Sequence, residues 1–154
     1  MDRAEKGVLP GLGRVSEPRA TGRCLCGAVR YEVRGEVRDV VNCHCDECKR
    51  WHGHVGAYAA AHAVNVSVSG ESLKWVTSER SDRHARRGFC GDCGSSLFWR
   101  PEDDDTISIA AGTLDRPTGL RTVGHWYTQQ AGDYYELPDD GLRRDDLRTT
   151  EVAQ

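Results

Sequence analysis

The sequence predicts an all-β domain, and three observations support this prediction. Apolar and polar residues alternate in several segments, which is typical of strands with one buried face. Turn signals that contain glycine separate these segments. Only Asp46–His52 has the pattern of a short helical turn. The chain has 154 residues, which is enough for one domain with an ordinary core and too few for two domains.

The predicted strands follow one another from residue 29 to residue 127. The clearest alternation is Val29, Tyr31 and Val33, where every second residue is branched or aromatic. The alanine-rich stretch 57–63 is compatible with a strand or a short helix, and we favour a strand. The acidic run 102–105 is expected to be an exposed loop. In chain order the predicted strands are residues 29–33, 57–63, 64–68, 73–77, 86–89, 96–99, 107–109 and 122–127.

Both ends of the chain differ in composition from the middle. Residues 1–21 mix charges with proline and glycine, and residues 143–154 contain few apolar side chains. Segments of this kind cannot bury enough apolar surface to offset the entropy lost on folding. We therefore expect flexible tails at 1–21 and 143–154 around a domain at 22–142.

The charge pattern excludes several classes of partner. The formal net charge is −3, and the 21 basic and 24 acidic residues are interspersed, which argues against a nucleic-acid binder. The pairs Arg86-Arg87 and Arg143-Arg144 are expected to be solvated surface. No apolar run approaches the ~20 residues that span a bilayer, and no stretch resembles a signal peptide. We expect a soluble, cytoplasmic protein that binds neither nucleic acid nor membrane.

Seven cysteines are grouped in three short motifs. An odd count in a chain with no recognised secretion signal argues against a complete disulfide framework. Metal binding is the favoured interpretation, because closely spaced thiolates can converge on one tetrahedral ion and a following glycine lets the backbone turn. The motifs are Cys24-x-Cys26, Cys43-x-Cys45-x-x-Cys48 and Cys90-x-x-Cys93, and glycine follows Cys26 and Cys93.

The division of these cysteines determines the predicted chemistry. A structural zinc site is closed by four protein ligands, whereas a catalytic site uses three and leaves one position for water or substrate. Two alternatives stay open. One is a zinc ribbon that joins residues 45–48 to 90–93 and leaves three thiols unused, and the other is a set of buried or redox-active thiols. The favoured division is a quartet of Cys24, Cys26, Cys90 and Cys93 and a trio of Cys43, Cys45 and Cys48.

The order of the motifs is also informative. The chain has GRCLCGAV at 22–29, CHCDECKR at 43–50 with Gly53 beyond it, and FCGDCGS at 89–95, then GTLD at 112–115, His125 and LPDD at 137–140. In these residues the chain resembles the glutathione-dependent formaldehyde-activating enzyme family, which also includes centromere protein V.

The resemblance implies a fold of several small coiled antiparallel β-sheets around zinc, with short helical turns, shared with guanine-nucleotide-exchange accessory proteins. It implies two zinc ions per chain, a structural one on the quartet and a catalytic one on the trio. The implied activity is that of a carbon–sulfur lyase, in which formaldehyde and glutathione combine to S-hydroxymethylglutathione. A small-molecule thiol and an aldehyde are therefore the expected partners.

The trio itself suggests this chemistry. Zn²⁺ with three thiolates has a formal charge of −1, and such a centre favours the thiolate form of an incoming thiol. We hypothesise that thiol and aldehyde meet there. His44 could move a proton or hydrogen-bond a sulfur, or it could point outward, and the resemblance adds His125. For His52 and His54 a pocket rim or a simple turn is expected. The candidate catalytic residues are Cys43, Cys45, Cys48, His44 and His125.

The alternative function is a noncatalytic, zinc-stabilised protein-interaction module.

Overall fold

The computed structural model describes residues 17–78 and 83–145, and strands dominate this part of the chain. One α-helix and three short 3-10 turns, Ala63–Asn65, Ala111–Thr113 and Thr128–Gln130, complete it. In chain order the main elements are β1 (Ala20–Arg23), β2 (Arg30–Val33), β3 (Arg38–Cys43), α1 (Asp46–His52), β4 (Gly56–His62), β5 (Val66–Ser69), β6 (Leu73–Thr77), β7 (Arg86–Cys90), β8 (Ser96–Arg100), β9 (Thr106–Ala110), β10 (Thr122–Trp126) and β11 (Arg143–Asp145).

The strands form two sheets. The smaller sheet has the order β1-β2-β5 and is antiparallel. The larger has the order β11-β10-β3-β4-β9-β8-β7-β6. Strand β10 runs parallel to both of its neighbours, β3 and β11, while the other pairs of this sheet are antiparallel. The described part of the chain therefore has one small antiparallel sheet and one large mixed sheet, instead of several small antiparallel sheets.

The predicted all-β fold is confirmed, and α1 and β6 have the predicted bounds. Strands β1, β3 and β11 were not predicted, because their sequences ATGR, RDVVNC and RRD lack a clear apolar alternation. The alanine-rich segment is a strand, as favoured, but it ends at His62. Val64 lies in a 3-10 turn and is 91% exposed, so the strand predicted from residue 64 begins at Val66 instead.

Strands lie just beyond both ends of the expected domain 22–142. Strand β1 begins at Ala20. Strand β11, at Arg143–Asp145, begins the segment for which a flexible tail was predicted, and the backbone of Asp145 accepts a hydrogen bond from Tyr127 N at 2.8 Å. The rest of the predicted tails, 1–16 and 146–154, lies outside the described residues. Within 17–78 and 83–145, no helix has the length and apolarity needed to cross a membrane.

Two apolar clusters fill the interior, and cysteines belong to both. The larger cluster lies between the two sheets and includes Tyr31 and Phe98, whose rings meet edge to face at 5.2 Å. The smaller one consists of Cys43, Cys48, Tyr58 and Ala110, with Cys45, Trp99 and Tyr127 packed against it. With only two Phe and one Met in the chain, thiol side chains occupy core positions that apolar residues usually hold.

Candidate metal centres and the adjoining polar chain

The quartet joins two distant parts of the chain. Cys24 and Cys26 follow β1, Cys90 ends β7, and Cys93 lies in the turn between β7 and β8. All four sulfurs lie within 4.8 Å of one another, with Cys24 and Cys26 sulfurs 3.5 Å apart and Cys26 and Cys90 sulfurs 3.8 Å apart. Four convergent thiols at these distances can hold one metal ion. This grouping contradicts the zinc-ribbon alternative, in which Cys90 and Cys93 would join Cys45 and Cys48.

Local backbone geometry turns polar groups toward the quartet. Gly27 and Gly94 have φ of 80° and 77°, a left-handed conformation that glycine adopts without steric cost. Val29 N donates to the Cys24 sulfur at 3.3 Å. Hydrogen bonds from Ser95 lower the pKa of Cys93 to about 5. These contacts favour thiolates over thiols at the turn that carries Cys93.

The trio lies at the junction of β3 and α1. Cys43 ends β3, Cys45 precedes α1, and Cys48 lies in the first turn of α1. Their three sulfurs lie within 4.8 Å of one another. Among residues 17–78 and 83–145, no fourth His, Cys, Asp or Glu atom joins this group. Cys43 and Cys48 are buried, and Cys45 is partly exposed. The trio is thus a three-donor site.

Helix α1 forms because both of its ends are capped. The Cys45 sulfur accepts a hydrogen bond from Cys48 N at 3.4 Å, in place of the oxygen that usually caps a helix N-terminus. Acidic residues occupy the first turn and basic residues the last, which matches the helix dipole. Gly53, with φ of 78°, ends the helix and donates to Lys49 O at 2.8 Å. Cys45 is therefore a helix cap and a candidate ligand at the same time.

The electrostatics of the trio are suited to a cation. Hydrogen bonds from Cys43 and Cys48 lower the pKa of Cys45 to about 2, so one negative charge is held on its sulfur. Hydrogen bonds with Cys45 and Cys48, and burial, raise the pKa of Cys43 well above its usual value. The three neighbouring thiols therefore differ in how readily each one ionises. A metal ion that replaces the thiol protons fits this donor set, because thiolate ligation releases protons.

A buried arginine contacts the trio from β7. Arg87 is 3% exposed, and its Nη2 lies 3.8 Å from the Cys48 sulfur and 3.4 Å from Glu47 Oε2. The prediction of solvated surface was therefore wrong for Arg87. Strand alternation could have indicated its burial, because Arg87 occupies the same face of β7 as Phe89, while Arg86 points the other way and is exposed.

A chain of hydrogen bonds passes through the residue between Cys43 and Cys45. Both His44 and His125 are 2% exposed. His44 Nε2 lies 3.0 Å from His125 Nδ1, and His44 Nδ1 lies 2.8 Å from the Tyr135 hydroxyl. His125 Nε2 donates to Asp140 Oδ2 at 2.9 Å, and this bond holds the pKa of Asp140 below its usual value. Both ring nitrogens of His44 are thus engaged, so it neither points outward nor hydrogen-bonds a sulfur.

The other histidines of this region lie in aromatic surroundings. His52 Nε2 is 2.6 Å from the Tyr58 hydroxyl, and burial, together with the charge of Arg87, lowers the pKa of His52 to about 4. The His54 ring meets Tyr135 edge to face at 4.7 Å. No sequence pattern indicated Tyr135, and Asp140 was noted only within a motif. Neither had a recognisable partner, because β10 and the segment after it come together with β3 only through the fold.

This fold and these sites define a class of small all-β proteins built on a thiol quartet and a thiol trio. Comparison with known proteins identifies the class. Residues 19–130 match the family of the glutathione-dependent formaldehyde-activating enzyme. The chain belongs to that family, as the motifs indicated.

Individual relatives are moderately similar. An uncharacterized lyase of Schizosaccharomyces pombe is 29% identical over 53% of this chain and 58% of its own length. A Penicillium rubens protein, provisionally named a glutathione-dependent formaldehyde-activating enzyme, is 30% identical over 65% of this chain and 52% of its own length. The chain thus spans little more than half the length of these relatives. A crystal structure of a Rhodobacter sphaeroides protein has a TM-score of 0.52 at 26% identity, and covers 66% of this chain and 97% of that one.

Proposed function

We propose that this protein is a zinc-dependent lyase of the carbon–sulfur type, which joins or separates a small aldehyde and a thiol such as glutathione at the trio. The observation that carries this proposal is the three-donor set itself. Three sulfurs converge within 4.8 Å, and no fourth donor side chain of the described residues completes the group. Catalytic zinc sites typically have three protein ligands, because a fourth position must stay open for water or substrate. Membership of the family supports the same activity.

The quartet is proposed as a structural zinc site. It links the segment after β1 to the turn between β7 and β8, and Cys24 and Cys90 are both buried in the larger core cluster. A closed four-thiolate site contributes to folding and offers no position for substrate. Its role is therefore to hold the small sheet against the large one.

The reaction requires a thiolate and a place for one proton. When bound, zinc supplies a positive charge that favours the thiolate form of the incoming thiol. The substrate sulfur forms a bond to the aldehyde carbon, the C=O π electrons move to oxygen, and this oxygen takes up the proton that the thiol lost. The lyase direction reverses each change. The rings of Tyr58 and Tyr127 pack against the trio and exclude water from that side.

His44 and His125 are proposed as positioning residues. Their ring nitrogens bind one another, Tyr135 and Asp140, so they have no free nitrogen to offer a substrate. Because His44 lies between Cys43 and Cys45, a fixed His44 ring fixes the backbone that carries two of the three sulfurs. The chain of bonds from Asp140 to Tyr135 thus orients the ligands, as hydrogen-bonded neighbours commonly do around metal sites.

Metal analysis with a single substitution tests the proposal. We expect two zinc ions per chain in gently purified protein and one in Cys45→Ser, because serine removes one of the three trio ligands and leaves the quartet intact. The wild-type protein should accelerate the thiol-dependent loss of formaldehyde, whereas Cys45→Ser should not. Proton NMR of the hydroxymethyl product measures this reaction. Acceleration that survives the substitution would refute the trio as the reaction site. Two zinc ions without any acceleration would favour the noncatalytic interaction module.

A further inference from the structure

Arg87 has an unusual environment for an arginine. It is 3% exposed and lies between α1 and the large sheet, where its guanidinium group meets a different partner at each nitrogen. Nε lies 3.2 Å from Ser78 Oγ, Nη1 lies 3.3 Å from the Tyr58 hydroxyl, and Nη2 faces the Cys48 sulfur and the Glu47 carboxylate. A fork fixed at three nitrogens has one orientation, and lysine cannot reproduce it.

The charges around Arg87 are not paired in the ordinary way. A buried arginine normally requires a carboxylate in close contact. Glu47 is the carboxylate here, at 3.4 Å, but its side chain is 26% exposed and also accepts a hydrogen bond from Ser78. The second electron-rich group is the Cys48 sulfur, at 3.8 Å. The guanidinium group therefore links an acidic residue of α1 to one sulfur of the trio.

We propose that Arg87 is a positioning residue of the trio, which holds the Cys48 sulfur and offsets the negative charge that the site gains when an anionic thiol substrate joins it. This inference rests on the proposed function. Three thiolates with a divalent zinc ion already carry a formal charge of −1, and a fourth thiolate makes it −2. A fixed cation beside one of these sulfurs favours the more negative state, since charges interact strongly where water is largely excluded.

The binding of a simple thiol to cobalt-loaded protein measures this effect directly. Cobalt(II) replaces zinc in thiolate sites, and its thiolate charge-transfer absorption reports each added sulfur. The probe is 2-mercaptoethanol, because its only ionisable group is the thiol. We expect Arg87→Gln to raise its dissociation constant by about 10- to 100-fold, the range found when contacts just outside a metal's ligands are removed. Arg87→Lys keeps the positive charge but loses the planar guanidinium group, so its dissociation constant should lie between those of the wild-type protein and Arg87→Gln.

Arg86→Gln is the matched control. Arg86 is the neighbouring arginine on the exposed face of β7, where its guanidinium carbon lies 5.5 Å from the centre of the Trp75 ring. This substitution removes the same net charge from the protein but not from the trio, so the dissociation constant should stay at the wild-type value. An equal weakening in both variants would overturn the inference, because the effect would then come from net charge alone.

Glu47→Gln separates the electrostatic role from a structural one and does not require Arg87 to be replaced. A structural role predicts that the loss of the Glu47–Arg87 pair weakens thiol binding. The charge-offset role predicts the opposite, since the carboxylate opposes the incoming anion and its removal should tighten binding several-fold. If Arg87→Gln does not fold, this variant decides the charge-offset role alone: tighter binding supports that role, and unchanged or weaker binding overturns it.

The same data distinguish this inference from the proposed function. If wild-type protein binds a single cobalt ion and no thiol, the trio is not a metal site and both fail. If it binds two cobalt ions and the thiol, and Arg87→Gln and Glu47→Gln bind the thiol as wild type does, only the role of Arg87 fails.

Discussion

Replacement of His125 by phenylalanine tests whether the buried polar chain holds the trio segment in place. Phenylalanine keeps an aromatic ring of similar size in β10 and removes both ring nitrogens. Because the two rings are similar in size, little space opens at this buried position, where His125 is 2% exposed. The change is therefore mainly the loss of two hydrogen bonds, to His44 at 3.0 Å and to Asp140 at 2.9 Å.

The magnitude follows from what each partner can do afterwards. The Asp140 side chain is 29% exposed and can turn to water. His44 is 2% exposed, so its Nε2 would remain buried without a partner. A buried polar group left in this way costs about 1–3 kcal/mol. We therefore expect His125→Phe to lower the free energy of unfolding by about 1–3 kcal/mol.

Urea unfolding at a fixed free zinc concentration, followed by tryptophan fluorescence, measures this change. The double variant His44→Phe/His125→Phe gives the second part of the test. When both partners are apolar, the penalty of an unpaired group disappears, so the double variant should lose less than the sum of the two single variants. Strict additivity, or a His125→Phe protein as stable as wild type, would show that the bond between the rings has no stabilising role.

Two further predictions concern the quartet and a buried histidine. Binding of structural zinc contributes about 10–16 kcal/mol in small peptides, against a total stability of about 5–15 kcal/mol for a domain. Cys90→Ser should therefore lose most of its folded population by circular dichroism while Cys45→Ser keeps it, and equal stability would contradict the structural role of the quartet. Burial and Arg87 lower the pKa of His52 to about 4, so the unfolded chain takes up the proton first and the fold loses stability as the pH falls from about 6.5 towards 4. Over that pH range the urea midpoint of His52→Gln should fall less than that of the wild-type protein, and an identical fall would contradict this role of His52.

Local patterns were sufficient where one segment carries its own signal. Alternation at residues 29–33 and 107–109 predicted β2 and β9, and the short helical pattern at Asp46–His52 predicted α1 at its observed bounds. Strand β3 was missed, because it lies between β10 and β4 and is partly covered on both faces. A strand in that position has no polar face to reveal a period of two. Strand β11 was missed because its order comes from pairing with β10, not from apolar residues of its own.

The sequence by itself determined which atoms are available for chemistry. The spacing of seven cysteines indicated a group of four and a group of three, because short motifs limit which sulfurs can converge whatever the rest of the chain does. Only the tertiary structure decided the surroundings of those sulfurs. It buried Arg87 beside Cys48, and it joined His44 to His125 and, through His125, to Asp140, which lie 81 and 96 positions further along the chain. Such contacts depend on how strands pair across the sheet, and no local pattern encodes that pairing.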